Sequence, residues 1–368
     1  MAKKKTEEVP VEMDFVERAI SGIEDLIKTP GLLTSGDFVA DEKKIVVPIC
    51  PSLDIATWGG IEEGSWTVIA GPEKIGKTVC ALQIAANAQK PEYGGRPVFY
   101  GAVEGRIDRK TLKGIRGLDL SHSKFQVIRS KKGKRLTGQD FLRIFQHIIE
   151  NVPGAVLIID SISCLLDEKV ANEGIGTETR SSGYKFVSQF IDLTCGSVPA
   201  NRTIVLGIAR QIANTGGGLG AKKVDKLSTS WKYQWQNYLK ALYKKPLVAQ
   251  GRQIGQIVHW YCGGSCLGAP GRKIESYLRY GVGFDAQYEN FVFGQTAQLL
   301  KKGGAWVSFD FLGTEAYQHL LTDGEIPKAQ GQEAAFQLLC EHPEWMEALS
   351  NEVKKFADVL AGTSAEEE

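Results

Sequence analysis

The sequence predicts an α/β protein: a mostly parallel β-sheet with helices on both faces, preceded by an N-terminal helix and followed by a small α/β domain. Three observations carry this. Short apolar, β-branched runs alternate with longer amphipathic segments from about residue 45 to 245, the signature of strand–helix–strand units. Several of the short runs are apolar throughout, as strands covered on both faces must be. The 368-residue chain is 43% hydrophobic and 24% charged, which argues against wholesale disorder and suffices for about two domains with proper cores.

Taken in order, residues 1–13 are charged and poor in apolar side chains, and read as an arm. Phe15, Val16, Ala19, Ile20, Ile23, Leu26 and Ile27 then recur at helical spacing. Asp14 with Glu17 three residues later has the pattern of a capping box, and Thr29-Pro30-Gly31 is a stop signal. This helix either packs on its own domain or docks on a neighbouring subunit. Strands are expected at 66–70, 98–103, 155–159 and 203–208, with helices at 78–89, 138–150 and 185–193 between them. The stretch 253–269 differs: Ile254, Ile257, Val258 and Trp260 lead into a Gly/Cys-rich turn. Beyond Gly294 come the segment 295–300, a strand at 305–309 and helices at 329–340 and 343–360. The expected units are thus residues 1–44, a core of 45–288, and a C-terminal domain of 289–368 ending in the acidic Glu366-Glu367-Glu368.

Lys and Arg number 44 against 43 Asp and Glu, a net charge of +1. No apolar run approaches the ~18 residues of a membrane span, and the opening Met1-Ala-Lys-Lys-Lys lacks a secretory apolar core. Seven cysteines are scattered without a dense framework, so a reduced, cytoplasmic protein is expected. Near-neutrality alone counts against nucleic-acid binding. The basic residues are nevertheless clustered, at Lys131-Lys132-Gly-Lys134-Arg135, around residues 222–226, at Arg180 and Lys185, and at Lys232, Lys240, Lys244 and Lys245. A locally positive surface is therefore compatible with a neutral sum.

The strongest motif is Gly71-Pro72-Glu73-Lys74-Ile75-Gly76-Lys77-Thr78, which fits G-x-x-x-x-G-K-[ST] in full, directly after an expected strand and opening an expected helix. Glycines let the backbone curl so that successive N–H groups face phosphate oxygens, and the helix N-terminus adds a favourable dipole. Lys77 supplies a positive charge to the β- and γ-phosphates, and the Thr78 hydroxyl a ligand for Mg²⁺. The sequence thus points to nucleotide binding. Asp160 ends an apolar strand at the carboxyl edge, where open parallel sheets bind ligands; it serves either the metal or the following segment as an N-cap. Glu104 ends another such strand, either as the base that polarises an attacking water or as a solvated loop acid.

With Ser52-Leu-Asp-Ile-Ala56 before the loop, Glu104 and Asp108 after it, and Leu157-Ile-Ile-Asp-Ser161, the chain resembles the RecA recombinase family. The later segments Glu173-Gly-Ile-Gly-Thr-Glu-Thr-Arg180, Tyr280-Gly-Val-Gly-Phe284, Lys301-Lys-Gly-Gly-Ala-Trp-Val-Ser308 and Ala329-Gln-Gly-Gln332 extend the likeness from about Phe15 to Ala357, in the bacterial-type arrangement. The resemblance implies a RecA-like phosphate-loop ATPase core. It also implies helical filaments with ATP between subunits, binding of single-stranded DNA and exchange with a homologous duplex. Under it, residues Gly71 to Val79 cradle ATP, Lys77 and Thr78 contact phosphate and Mg²⁺, Asp160 joins the metal site, Glu104 activates water, and Asp108 touches the adenine edge. A first DNA-binding loop falls around Gly174, Gly176, Arg180 and Lys185. A second falls on Gly216, Gly217, Gly218, Lys222, Lys223 and Lys226, where backbone freedom and local charge suit a phosphate backbone. The γ-phosphate-sensing glutamine corresponds to Gln211, or with a one-residue shift to Arg210.

Two features depart from the family. The pair of lysines that reaches a neighbour's ATP falls on Gly264 and Cys266, which implies slow hydrolysis unless Arg272 or Lys273 substitutes. Thr111 stands where an adenine-stacking aromatic is expected. A filament that coats and protects DNA, using ATP as an assembly switch, is the alternative function; a closed-ring helicase motor is a third, disfavoured by the C-terminal segments. His259, Cys262 and Cys266 fit no standard zinc spacing and bring no evident fourth ligand, so a strand and turn with buried cysteines is the plainer reading.

Overall fold

The computed structural model describes residues 15–29, 31, 33–173, 185–213, 223–249 and 251–361. The chain divides into two compact units at Lys44 and Ile45. The first holds α1 (Phe15–Ile27) and α2 (Gly36–Ala40). In α2 the Ser35 hydroxyl accepts the Phe38 N–H at 3.2 Å, satisfying one of the donors a helix start leaves free. Asp14, expected to cap α1, lies outside the described residues.

The second unit begins with β1 (Val46–Val47), α3 (Pro51–Thr57) and β2 (Ile61–Glu62). Alternation follows: β3 (Trp66–Gly71), α4 (Lys77–Ala88), β4 (Val98–Ala102), α5 (Arg109–Lys113), β5 (Phe125–Ile128), α6 (Gly138–Asn151) and β6 (Val156–Asp160). Helices α7 (Glu168–Glu173), α8 (Lys185–Thr194) and α9 (Ser197–Ala200) lead to β7 (Ile204–Ala213) and β8 (Lys223–Asp225). Then come α10 (Thr229–Gln234), β9 (Asn237–Ala249), β10 (Arg252–Gly264), β11 (Arg272–Arg279) and β12 (Gly283–Phe284). The chain finishes with α11 (Ala286–Thr296), β13 (Lys301–Gly303), β14 (Trp306–Ser308), β15 (Lys328–Gln330), α12 (Gln332–Glu341) and α13 (Pro343–Ala361).

The main sheet runs β12-β11-β10-β9-β3-β7-β6-β4-β5, with β8 paired to the far end of β7. From β9 to β5 every pairing is parallel; from β9 to β12 every pairing is antiparallel. The expected mostly parallel α/β sheet is therefore present. Its strands read as apolar throughout because both faces are covered. In β3, Ile69 joins one core cluster with Ile84 and Leu239, while Trp66, Val68 and Ala70 join another with Phe145 and Phe190. The same two-residue alternation splits Val156 and Ile158 of β6 from Leu157 and Ile159.

The antiparallel half was not foreseen beyond 253–269. Strand β9 carries Lys240, Lys244, Lys245 and Pro246, and its middle is exposed, so neither a clean alternation nor an apolar run marks it. A third core cluster gathers Phe291, Phe309, Phe311, Leu339, Trp345 and Leu349 around β13–β15 and α11–α13. The expected helix at 329–340 begins instead as β15, with α12 starting at Gln332 after Gly331 at φ +87°.

Two buried carboxylates tie distant segments together. Glu63 and Arg96 form an ion pair with side chains 1% and 4% exposed; Glu63 also accepts the Ile45 N–H at 3.1 Å and lies 3.5 Å from Arg202. Arg96 donates further to the carbonyls of Tyr93, Gly154 and Arg202. Glu289 of α11, fully buried, accepts the N–H groups of Ser52 and Tyr277, each at 2.9 Å. Burial disfavours its charge and pushes its pKa up to about 7 despite those two donors. Among the described residues, no helix is long and apolar enough to cross a membrane.

Candidate nucleotide site

The phosphate loop joins β3 to α4 at the carboxyl edge of the parallel strands. Its first glycine, Gly71, sits at φ +145°, and a Cβ there would lie 2.6 Å from the Ala241 carbonyl of β9. Gly76, at φ +109°, precedes α4, and no side chain caps the N–H groups of that helix's first turn. The loop is braced by the antiparallel half of the sheet: Gln256 donates to the Ile75 carbonyl at 3.1 Å and Lys244 to that of Lys74 at 2.7 Å. Lys77 is 9% exposed, and its ammonium donates to Gly71 and Pro72 carbonyls at 2.9 and 2.6 Å. Burial lowers its pKa, although Asp160, Glu104 and Glu73 work the other way.

A cavity of about 490 Å³ opens over the loop, lined by residues 73–79 and by Tyr100, Glu104, Asp160, Ile208 and Arg210, among others. Asp160, at the end of β6, accepts the Thr78 hydroxyl at 2.9 Å and the Tyr100 hydroxyl at 2.5 Å. Burial raises the Asp160 pKa in spite of these bonds, and the neighbouring carboxylate of Glu104 adds to the rise. Uncapped helix N–H groups, a buried lysine and a hydroxyl–carboxylate pair make a donor set that fits a polyphosphate with a divalent cation. Thr78 and Asp160 could hold that cation.

Glu104 follows β4, and its N–H donates to the Asp160 carbonyl at 3.1 Å, which fixes the two acids side by side. Arg210 grips both carboxylate oxygens of Glu104, one of them through Nε at 2.5 Å. Partial burial works against the Glu104 charge, but the hydrogen bond and charge of Arg210, with Arg106 behind it, hold its pKa below the ordinary glutamate range.

The structure brings Gly71 to Val79, Glu104 and Asp160 together, and leaves other expected residues apart. Gln211 does not reach the cavity; its amide donates to Asp225 at 3.0 Å. Adjacent strand residues point to opposite faces, so with Ile208 and Arg210 on the cavity side, Gln211 must face away. Of the two candidates, Arg210 lines the cavity. Asp108 caps α5, accepting the Thr111 N–H at 2.7 Å, and borders a separate depression with Arg109 and Arg129; Ile107 and Thr111 line the phosphate cavity instead. Gly174, Gly176, Arg180, Gly216, Gly217, Gly218 and Lys222 lie outside the described residues, as does the Lys223 side chain. Lys185 and Lys226, which flank those segments, are exposed.

At Gly264 a Cβ would fall 2.3 Å from the Trp235 ring, so no lysine fits this position without rearrangement. Cys266 is exposed, near the Asn237 amide oxygen. Arg272 is engaged within its own subunit, donating to the Ile55 carbonyl at 3.0 Å with its guanidinium 5.3 Å over Trp58; Lys273 is exposed. His259 stacks on Tyr243 and lies 3.0 Å from Glu275, and Cys262 is buried. No cluster of three His, Cys, Asp or Glu placed to hold a metal occurs among the described residues. Tyr100 carries no sequence signal of this role, because it sits inside an apolar strand and nothing local marks its hydroxyl as a partner of Asp160.

A parallel sheet with a phosphate loop and two acids at its carboxyl edge defines a phosphate-loop nucleotide-binding core. The family model for the RecA N-terminal domain matches residues 14–223, more than half of the chain, and the protein belongs to the RecA family. Its relatives include the proteins named Protein RecA of Thermotoga neapolitana, 24% identical over 96% of this chain and 95% of theirs, and of Gluconobacter oxydans, 25% identical over 94% and 93%. That of Aquifex pyrophilus is 24% identical over 96% of this chain and 95% of its own.

Proposed function

We propose that this RecA-type protein is an ATP-dependent recombinase that assembles on single-stranded DNA as a helical filament and pairs it with a homologous duplex. The carrying observation is the convergence of Lys77, Thr78, Asp160 and Glu104 on one cavity, in a chain similar over nearly its whole length to proteins named RecA. Lys77 and the loop N–H groups bind the β- and γ-phosphates, and Thr78 and Asp160 would hold a Mg²⁺ that would supply charge neutralisation to the phosphates. Glu104 takes the proton of the attacking water. The exposed Lys185 and Lys226 each end one of the two DNA-binding segments, around residues 174–185 and 216–226. Residues 1–44 serve as the oligomerisation arm, 45–288 as the ATPase core and 289–368 as a C-terminal domain.

A second reading, a protective filament with little turnover, draws on one observation: neither Gly264 nor Cys266 supplies a cation to a neighbouring site. Electron microscopy with ATP and single-stranded DNA tests what both share. Helical filaments are expected, and free subunits or closed rings would overturn the proposal. Strand exchange with homologous duplex, measured beside ATPase rate, then separates recombinase from coat.

A further inference from the structure

Strand β8, where the second basic segment returns to the sheet, is tied down on the side away from the nucleotide. It lies off the path of the main sheet and pairs with the end of β7, Gln211 opposite Asp225 and Ala213 opposite Lys223. Asp225 gathers three donors: the Gln211 amide at 3.0 Å, the Lys240 ammonium at 2.8 Å and the Tyr238 hydroxyl. Tyr238 packs against the core cluster of Val68, whereas Ile208 of the nucleotide cavity belongs to the cluster on the other face. Lys240 and Tyr238 are on β9, which stands two places from β7 in the sheet, beyond β3. The carboxylate therefore fastens β8 to a strand other than its pairing partner. Its side chain is 9% exposed, so salt screens its ion pair with Lys240 little. Burial works against its charge, but the bonds from Lys240, Tyr238 and Gln211 hold its pKa below the ordinary aspartate range. A second tie follows at once. The Ser163 hydroxyl donates to the Lys226 carbonyl at 2.9 Å, and the Lys226 N–H to the Arg210 carbonyl at 2.8 Å. The Lys226 backbone is thus fixed while its side chain stays exposed.

We infer that Asp225 is a positioning residue for DNA binding, which pins β8 to β9 and so sets where Lys226 and its neighbours meet a DNA backbone. The inference rests on the reading of the segment around residues 216–226 as DNA-binding. A glycine-rich segment gains affinity when its cations are held in place beforehand, because less conformational freedom is lost on binding. Asp225 is itself an anion, between Lys223 and Lys226 in the chain. An acid that merely stands there repels phosphate, and neutralising it should tighten DNA binding. An acid that positions the segment helps binding in spite of its charge, and neutralising it should weaken binding. The geometry points to the second role, since the carboxylate is turned onto Lys240, Tyr238 and Gln211 and its charge is largely matched by the Lys240 ammonium.

The test is the apparent affinity of the full chain for a dye-labelled single-stranded oligonucleotide, with Mg²⁺ and AMP-PNP. Fluorescence anisotropy reads it over a range of salt. Asp225→Asn keeps the shape and removes the charge; Tyr238→Phe removes one donor and changes no charge. Asp225→Asn is expected to weaken binding by about 5-fold or more, and to flatten the salt dependence because fewer phosphate contacts form. Tyr238→Phe is expected to weaken it by about 3-fold, in the same direction. Unchanged or tighter binding by Asp225→Asn would overturn the positioning role and leave a bystander acid. Thermal unfolding shows whether each variant folds. If Asp225→Asn does not, Tyr238→Phe decides alone, and wild-type affinity there overturns the inference. If the wild type binds no oligonucleotide, or Lys222→Ala/Lys223→Ala/Lys226→Ala binds as tightly as wild type, the reading of the segment as DNA-binding falls instead.

Discussion

Replacing Glu63 by Ala removes the only carboxylate paired with Arg96 among the described residues, in a place where both side chains are almost wholly buried. An arginine cannot escape by losing its proton, so the variant must either keep an uncompensated charge inside or open the surrounding strands. Breaking a buried pair from one side costs about 3–5 kcal/mol. The Ile45 N–H loses its acceptor as well, adding about 1 kcal/mol. Arg96 keeps three carbonyl acceptors, at Tyr93, Gly154 and Arg202, which draws the total towards about 4 kcal/mol. Against the usual stability of about 5–15 kcal/mol, this is a large share. With a slope near about 3 kcal/mol per molar urea, the midpoint should fall by more than about 1 M. Added salt should change the loss little, because a buried pair is poorly screened. The companion Glu63→Met/Arg96→Met, which removes both charges and fills the space, should lose less than Glu63→Ala alone. A Glu63→Ala loss below about 1 kcal/mol, or a double variant as damaged as the sum of the single ones, would refute the reasoning.

Lys77→Ala should weaken ATP-analogue binding by about 30-fold or more with little change in melting temperature, since it removes a charge from a largely desolvated site; calorimetry and thermal unfolding check both halves. Glu104→Gln should cut DNA-stimulated ATP hydrolysis by about 100-fold or more and leave ATP-bound filaments that disassemble slowly, as followed by phosphate release and light scattering. Glu289 gives a pH signature. Its folded pKa, about 7, lies above the ordinary 4.5, so its contribution to stability is fullest below pH 4.5 and is lost as pH rises through 7. The wild type should lose stability from pH 5 to 8, by an amount of order 3 kcal/mol at most from this group, and Glu289→Gln should remove that part of the slope.

The parallel core and phosphate loop were legible because they rest on local signals: apolar runs of strand length, and glycines, a lysine and a threonine at fixed spacing. The antiparallel half was not, because Lys240, Lys244 and Lys245 on β9 hide its pattern. Which of Arg210 and Gln211 looks into the cavity depends on the face of β7 that each occupies, and a sequence does not show how that strand sits against the loop. Asp108 sits beside the site in sequence, yet its carboxylate is spent on the first turn of α5. The Glu63–Arg96 and Glu289–Ser52 links join residues far apart in the chain, and no periodicity announces them.

Gly71 bears on how such chains diverge. The obstacle to a side chain at 71 is the Ala241 carbonyl of the adjoining strand, together with a backbone angle that other residues rarely adopt. A descendant that lost every use for nucleotide would still be held to glycine there by the strand beside it. In this lineage the first letter of the motif is an architectural fossil in waiting, whereas Lys77 and Thr78 are free to drift once the ligand is gone. The latter two positions, not the glycine, are where decay of the activity would first be written.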